Sequence, residues 1–555
     1  MRKISLFVVM LLIMTAYSVT TAQNATFTYF SYNGNDKRFD QKIDHNNQYY
    51  NPILAGFYPD PSVCRKGDTY YLATSTFSFF PGVPIFTSKD LVNWTQIGHA
   101  LDRDSQVSLQ NLGVSDGVFA PSLTYNEQNE TFYMLTMNMG KRVVFFVKSQ
   151  NPEEGWSEPV YLKAGGMDAS FFFDHDGKAY IVYCTLPIGG QMYDGEMAIH
   201  MNQFCINGDT VMGDRLELIR GGTHIEHEPQ WIEGPHLYHI GEFYYLMCAE
   251  GGTRSNHSEV IFRSKELVGP WEEFEGNPIL TQRNLKNDNR TDIVTSTGHA
   301  DLIQTPDGDW WAVFLGCRPY ESDLYNTGRD SYLLPVKWEN GWPIILGANK
   351  AVPSVVDKKK LQPIDNYLTG NFAYTDRFDG AKLNVQWIFL RNPQQDLYSL
   401  SEDGITLKTL PVNIMRKESP SAVFRRQQHT SFEVETEVVF RPQTEKELAG
   451  MALLQNEEYN FVLGKTILNG KHAITLSRTK EVKTIIGSVI LAEEQVNKPL
   501  KLRISGDGRY YSFYYSTEDS KWHIIARGVD AANLSTDLAG GFVGNVIGLY
   551  TTSDN

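Results

Sequence analysis

The 555-residue sequence holds only five cysteines, Cys64, Cys184, Cys205, Cys248 and Cys317, and no two of them have CxxC spacing. Neither a zinc ribbon nor a disulfide-dense scaffold fits that pattern, which leaves buried thiols or one disulfide of open pairing. Basic charge is also scarce: 50 Lys and Arg stand against 65 Asp and Glu, for a formal net charge of −15. A partner held by phosphate neutralisation selects a concentrated basic surface, so no nucleic-acid partner is expected. The run Lys358-Lys359-Lys360 reads as a solvated linker. No HExxH or similar compact ligand set occurs, which argues against a catalytic metal. The one long apolar stretch, Ile4 to Tyr17, falls short of the roughly twenty residues a membrane span needs.

That stretch follows Arg2 and Lys3 and precedes Thr20-Thr21-Ala22, the charged, apolar and small-residue order of a cleavable secretory signal. Residues 1–22 are therefore expected to be removed, with export to the periplasm. No cysteine follows the cleavage point to carry a lipid anchor.

What the sequence has in plenty is β-forming aromatic residues, with 29 Tyr and 30 Phe, and a length that suggests two domains. Five segments share one pattern of turn, apolar strand, hairpin and aromatic-rich returning strand. They begin at Asp60 (DPSVCRKGDTYYLAT), Ala120 (APSLTYNEQNETFYMLT), Asp168 (DASFFFDHDGKAYIVY), Glu233 (EGPHLYHIGEFYYLMC) and His299 (HADLIQTPDGDWWAVF). Further strand candidates lie between them, so each period holds about four strands, the content of a propeller blade. The predicted fold is all-β: a five-bladed β-propeller over 23–350, a linker over 351–370, and a jelly-roll-like β-sandwich over 371–555. The sandwich is read from alternating runs such as SFEVETEVVF and LKLRISG.

In a propeller the first strand of each blade lines the central channel, so residues at the strand starts converge at one mouth. Asp60, Asp168 and Glu233 are three such residues and His299 a fourth, with Glu233 one position earlier than the strict alignment. Taken singly, each acid could instead cap a turn. Three carboxyl groups crowded together favour protonation of at least one, which makes it a proton donor. Glycoside hydrolysis needs one such acid and one carboxylate. Placement on different blades favours the wider separation, about 6.5–9.5 Å, of an inverting enzyme. A metal is the competing use of the same side chains. His299 is either a ligand of a structural calcium on the channel axis or a hydrogen-bonded channel histidine.

NPILAGFYPDPSV (Asn51 to Val63), GMDASFFFD, EGPHLY followed by YYLMCAEGGT, and Gly298-His299-Ala300 resemble glycoside hydrolase family 43 over about Asn51 to Trp342. The resemblance implies Asp60 as general base, Glu233 as general acid and Asp168 as the acid that tunes and orients the donor. Arg318, in CRP, is similar to an arginine near the sugar pocket, with a surface salt bridge as the alternative. Phe79 and Phe80 would form an apolar wall, unless they only pack the blade, and His299 would contact substrate. The C-terminal sandwich would reach over the propeller and help close the pocket.

Three sites depart from relatives acting as β-xylosidases. Those often carry Glu-Trp at Ser78-Phe79, tryptophan at Phe119, and a phenylalanine near Val546 in the closing loop. The expected activity is therefore release of terminal α-L-arabinofuranosyl units from hemicellulose oligosaccharides or polysaccharides. A β-xylosidase is the first alternative and a noncatalytic carbohydrate-binding propeller the second. No cofactor is required for that chemistry, and nothing in the pattern fixes an oligomeric state.

Overall fold

The computed structural model describes residues 24–286, 290, 292–347, 349–362, 368–518 and 521–555. The expected leader over 1–22 lies outside the described residues, as do 363–367 of the expected linker. Among the described residues, no helix is long and apolar enough to cross a membrane.

The five repeats form five sheets. Blade I contains the strands Ser62–Lys66, Thr69–Ala73, Gly82–Ser88 and Thr95–Leu101, and blade II begins with Val118–Asn126. The innermost strands of blades III, IV and V are Met167–Phe173, Glu233–Ile240 and Thr295–Gln304. Each inner strand pairs antiparallel with the next through the hairpin seen in the sequence. Blade V has three strands in its sheet among the described residues, one fewer than the repeat predicts.

The segment before blade I closes the ring. The Ile53 amide donates to the Ser331 carbonyl at 2.8 Å, and the Ser331 amide donates back to Leu54. The Asn51 side chain donates to the Leu333 carbonyl and accepts from the Leu333 amide. Inner strands are also tied across the channel. Asp301 accepts from the Ser62 hydroxyl, the Val63 amide and the Tyr238 hydroxyl, joining blades V, I and IV two residues below His299.

The sandwich packs an eight-stranded sheet on a six-stranded one. Strand Ser431–Val439 shows why: Phe432, Val434, Thr436 and Val438 are buried while the residues between them are not. The expected boundary at residue 23 needs correction. Strand Ala25–Gly34 belongs to the sandwich, pairing with Ser431–Val439, Gly404–Leu407 and Ala373–Asp376. Its alternation buries Ala25, Phe27, Phe30 and Tyr32 in the sandwich core, which the propeller offers no surface to do. The described part of the linker is strapped to the propeller, with Val355–Asp357 pairing Gln48–Tyr50. All five cysteines are free thiols, four of them buried, so the disulfide alternative is not realised.

Candidate active site

The starts of the inner strands share a backbone device. Asp60, Ala120, Asp168, Gly234 and His299, one per blade, have φ of 54°, 22°, 52°, 55° and 52°. L-residues avoid this left-handed region, so the four blades with a non-glycine residue there spend conformational energy to turn the chain at the same point. In four blades the inner pairing slips there, at Phe119/Ser122, Met167/Ser170, Glu233/His236 and Gly298/Asp301. The one-residue offset of Glu233 thereby finds its explanation. In blade IV a glycine takes the left-handed position, and the acid precedes it on a longer side chain.

These turns gather Asp60, Asp168, Glu233 and His299 around one pocket of about 60 Å³, completed by Thr253, Arg329, Phe77, Phe119, Ala120, Met167 and Phe542. Oxygens of Asp168 and Glu233 and a ring nitrogen of His299 all lie within 4.8 Å of one another. Asp60 accepts from Arg329 Nη1 at 2.7 Å and from the Ser75 hydroxyl at 2.5 Å.

The carboxyl groups differ in protonation. Burial pushes Asp60 up, but the Arg329 guanidinium, His299 and the Ser75 hydroxyl outweigh it and hold Asp60 below the usual carboxylate range. Among the described residues, Glu233 has no such bond. Burial first, then the negative charges of Asp168 and Asp60, push it well above its ordinary value. Asp168, the most exposed of the three, is also raised by burial, with His299 opposing and Asp60 adding to the rise.

Three sequence expectations change. Arg318 does not line the pocket: it is buried in an ion pair with Asp330 at 2.7 Å and Asp36 at 3.2 Å, and it donates to the Gln428 carbonyl of the sandwich. The pocket arginine is Arg329. Gly328-Arg329-Asp330 opens a strand, and alternation sends Arg329 to the pocket and Asp330 to Arg318. Phe79 and Phe80 do not line it either, because they pair with Leu390 and Phe389 of the sandwich and are buried there. Phe77 takes their place, turned inward at a φ of 50° that the motif TFSFF does not reveal. The closing-loop phenylalanine is present after all as Phe542, four positions before Val546.

Phe542 brings the sandwich into the pocket. Its amide donates to the Ser115 hydroxyl of the propeller, and its ring stacks with Phe77 at 5.9 Å. The Arg329 guanidinium lies 5.9 Å from the Phe77 ring and 5.8 Å from that of Phe542. Gly544 permits the loop's approach: a Cβ there would fall 2.4 Å from the Thr327 carbonyl oxygen.

Comparison with known proteins identifies the family of the chain. The profile described as Glycosyl hydrolases family 43 matches residues 49–343, and that described as Beta xylosidase C-terminal Concanavalin A-like domain matches 375–555. The chain is 35% identical to a "Xylosidase/arabinosidase" of Butyrivibrio fibrisolvens, covering 91% of this chain and 96% of that one. It is 34% identical to a "Non-reducing end alpha-L-arabinofuranosidase" of Bacteroides ovatus, covering 91% and 92%. A solved structure described as a GH43_12 retrieved from capybara gut metagenome superposes with TM-score 0.87 at 36% identity, covering 95% of this chain and 99% of that one. With a family profile over more than half its length and such relatives over nine-tenths of it, this chain belongs to glycosyl hydrolases family 43 and is a glycosidase.

Proposed function

We propose that the protein is an inverting exo-glycosidase releasing terminal non-reducing α-L-arabinofuranosyl units from hemicellulose oligosaccharides, those of arabinoxylan or xyloglucan. The observation that carries this reading is the opposite push on two carboxyl groups at one pocket, Asp60 held charged by Arg329 and Glu233 driven toward its protonated form. Glu233 gives its proton to the glycosidic oxygen as the bond to the anomeric carbon breaks. Asp60 takes a proton from the water that attacks that carbon from the other side. Asp168 raises the proton affinity of Glu233 through its charge, and the Arg329 fork stays with the base.

Exo action is supported by the pocket's small size, about 60 Å³, with Phe542 of the sandwich forming part of its wall. The arabinofuranosyl preference rests on the Bacteroides ovatus relative and on Phe119 where tryptophan is common in xylosidases. Cleavage of β-xylosides is the second reading, favoured by the double name of the Butyrivibrio relative. His299 serves as a channel histidine that contacts substrate. Two carboxyls and one imidazole are a poor donor set for calcium, which takes six to eight oxygens. The leader would deliver the enzyme to the periplasm.

Proton NMR of the products from a panel of pentosides, recorded within the first minutes, tests the assignment. Release of β-L-arabinose from α-L-arabinofuranosides is expected. Retention of configuration, or turnover of β-xylosides alone, refutes it.

A further inference from the structure

Trp231 combines three properties that core packing does not explain. Its side chain is 44% exposed, in a chain whose other large aromatic residues are mostly buried. Its φ is 57°, a conformation that bulky residues rarely adopt. The surroundings enforce that conformation: the Trp231 amide donates to the Gly195 carbonyl at 2.9 Å, and the preceding Gln230 carbonyl accepts from the Gly251 amide. Strain held in place this way points to a use for the side chain it displays.

The position of the ring narrows that use. A Cβ on Gly252 would meet Trp231 Cδ1 at 3.4 Å, so the indole edge rests against the backbone at Gly252, next to Thr253 of the pocket wall. Two residues along the chain is Glu233, whose Cα lies within about 7 Å by chain length alone. In the reading above, Glu233 protonates the oxygen that leaves with the aglycone. The departing sugar therefore lies toward the pocket mouth from Glu233, and Trp231 is an exposed side chain two residues from that acid. Exposed apolar residues occur on the two loops joined by the Trp231–Gly195 hydrogen bond: Leu186, Ile188 and Met192 between the second and third strands of blade III, and Ile225 between blades III and IV.

We propose that Trp231 is the platform for the leaving-group sugar, the C–H face of that ring stacking on the indole while the terminal pentose occupies the pocket. The proposal rests on the assignment of Glu233 as acid. It makes Trp231 a specificity residue for the acceptor side, with no role in recognising the terminal sugar.

The test compares two substrates with the same terminal pentose, an arabinosylated xylo-oligosaccharide and the methyl arabinofuranoside, together with inhibition by free arabinose. For Trp231→Ala, kcat/KM on the oligosaccharide is expected to fall about tenfold, mainly through KM, the scale of one lost stacking contact. The methyl glycoside and the arabinose inhibition constant should be unchanged. Trp231→Leu keeps bulk without a flat face and should behave like the alanine variant, whereas Trp231→Phe should retain most of the activity. Equal losses on both substrates would show that Trp231 only supports Glu233, and an unchanged oligosaccharide rate would show that no sugar rests there. Either result overturns the proposal. A wild-type enzyme that cleaves neither substrate refutes the assignment of function instead, before any variant is compared.

Discussion

Arg329 donates from Nη1 to Oδ1 of Asp60 at 2.7 Å, and both side chains are buried at the bottom of the pocket. The arginine is what keeps a buried carboxyl charged. In Arg329→Met, burial should prevail and the Asp60 pKa should rise. A base works only when deprotonated, so the acidic limb of the kcat/KM profile is expected to move to higher pH. An acidic limb that stays in place while the rate falls would separate Arg329 from Asp60.

Asp168 acts in the opposite sense on Glu233. Its negative charge is the second contribution, after burial, to the raised pKa of the acid. Asp168→Asn should therefore lower the pKa of Glu233. Since an acid must be protonated to act, the alkaline limb should move to lower pH, as seen in the same rate profile. Glu233→Ala should cost roughly a hundredfold or more in rate on unactivated oligosaccharides.

Arg318 tests stability where Arg329 tests chemistry. It joins Asp36, Asp330 and the Gln428 carbonyl at the junction of propeller, N-terminal segment and sandwich. Arg318→Met leaves two buried carboxyls without their partner, and a loss of about 3–5 kcal/mol is expected in urea unfolding. Below the denaturation midpoint, the pH dependence of the rate should be that of the wild type.

Phe542 predicts that the sandwich is part of the active site. Phe542→Ala should raise KM for pentosides with little change in melting temperature, since the ring lies at a partly exposed wall. A chain ending near residue 350 lacks this residue and should show no turnover.

The sequence made the acids legible because the repeat marks equivalent positions, and Asp60, Asp168 and His299 fall on the left-handed turn of their blades. The walls were harder to read. Arg318 and Arg329 lie near facing ends of adjacent strands, where Cys317 pairs with Arg329, and both precede or follow small residues. Only the alternation at Arg329-Asp330 distinguishes them, and that requires knowing where the strand begins. Phe77 does not stand out among the three phenylalanines of Phe77-Ser78-Phe79-Phe80, because its inward direction comes from a backbone turn without a glycine to mark it. The place of the N-terminal strand in the sandwich is not legible for a different reason: its partners lie some 340 to 410 positions away, and local pattern carries no record of such distant pairing.

That pairing reverses the apparent order of the architecture. Because Ala25–Gly34 sits between Gly404–Leu407 and Ser431–Val439 in one sheet, the propeller is an insertion within the sandwich. Strand Ala25–Gly34 must wait for its partners while some 340 further residues are made, with its apolar face and open edges in need of protection. The sandwich is thus no detachable module. Its completion joins Ala25–Gly34 to segments on the far side of the propeller, and the loop bearing Phe542 belongs to that same late-closing sandwich.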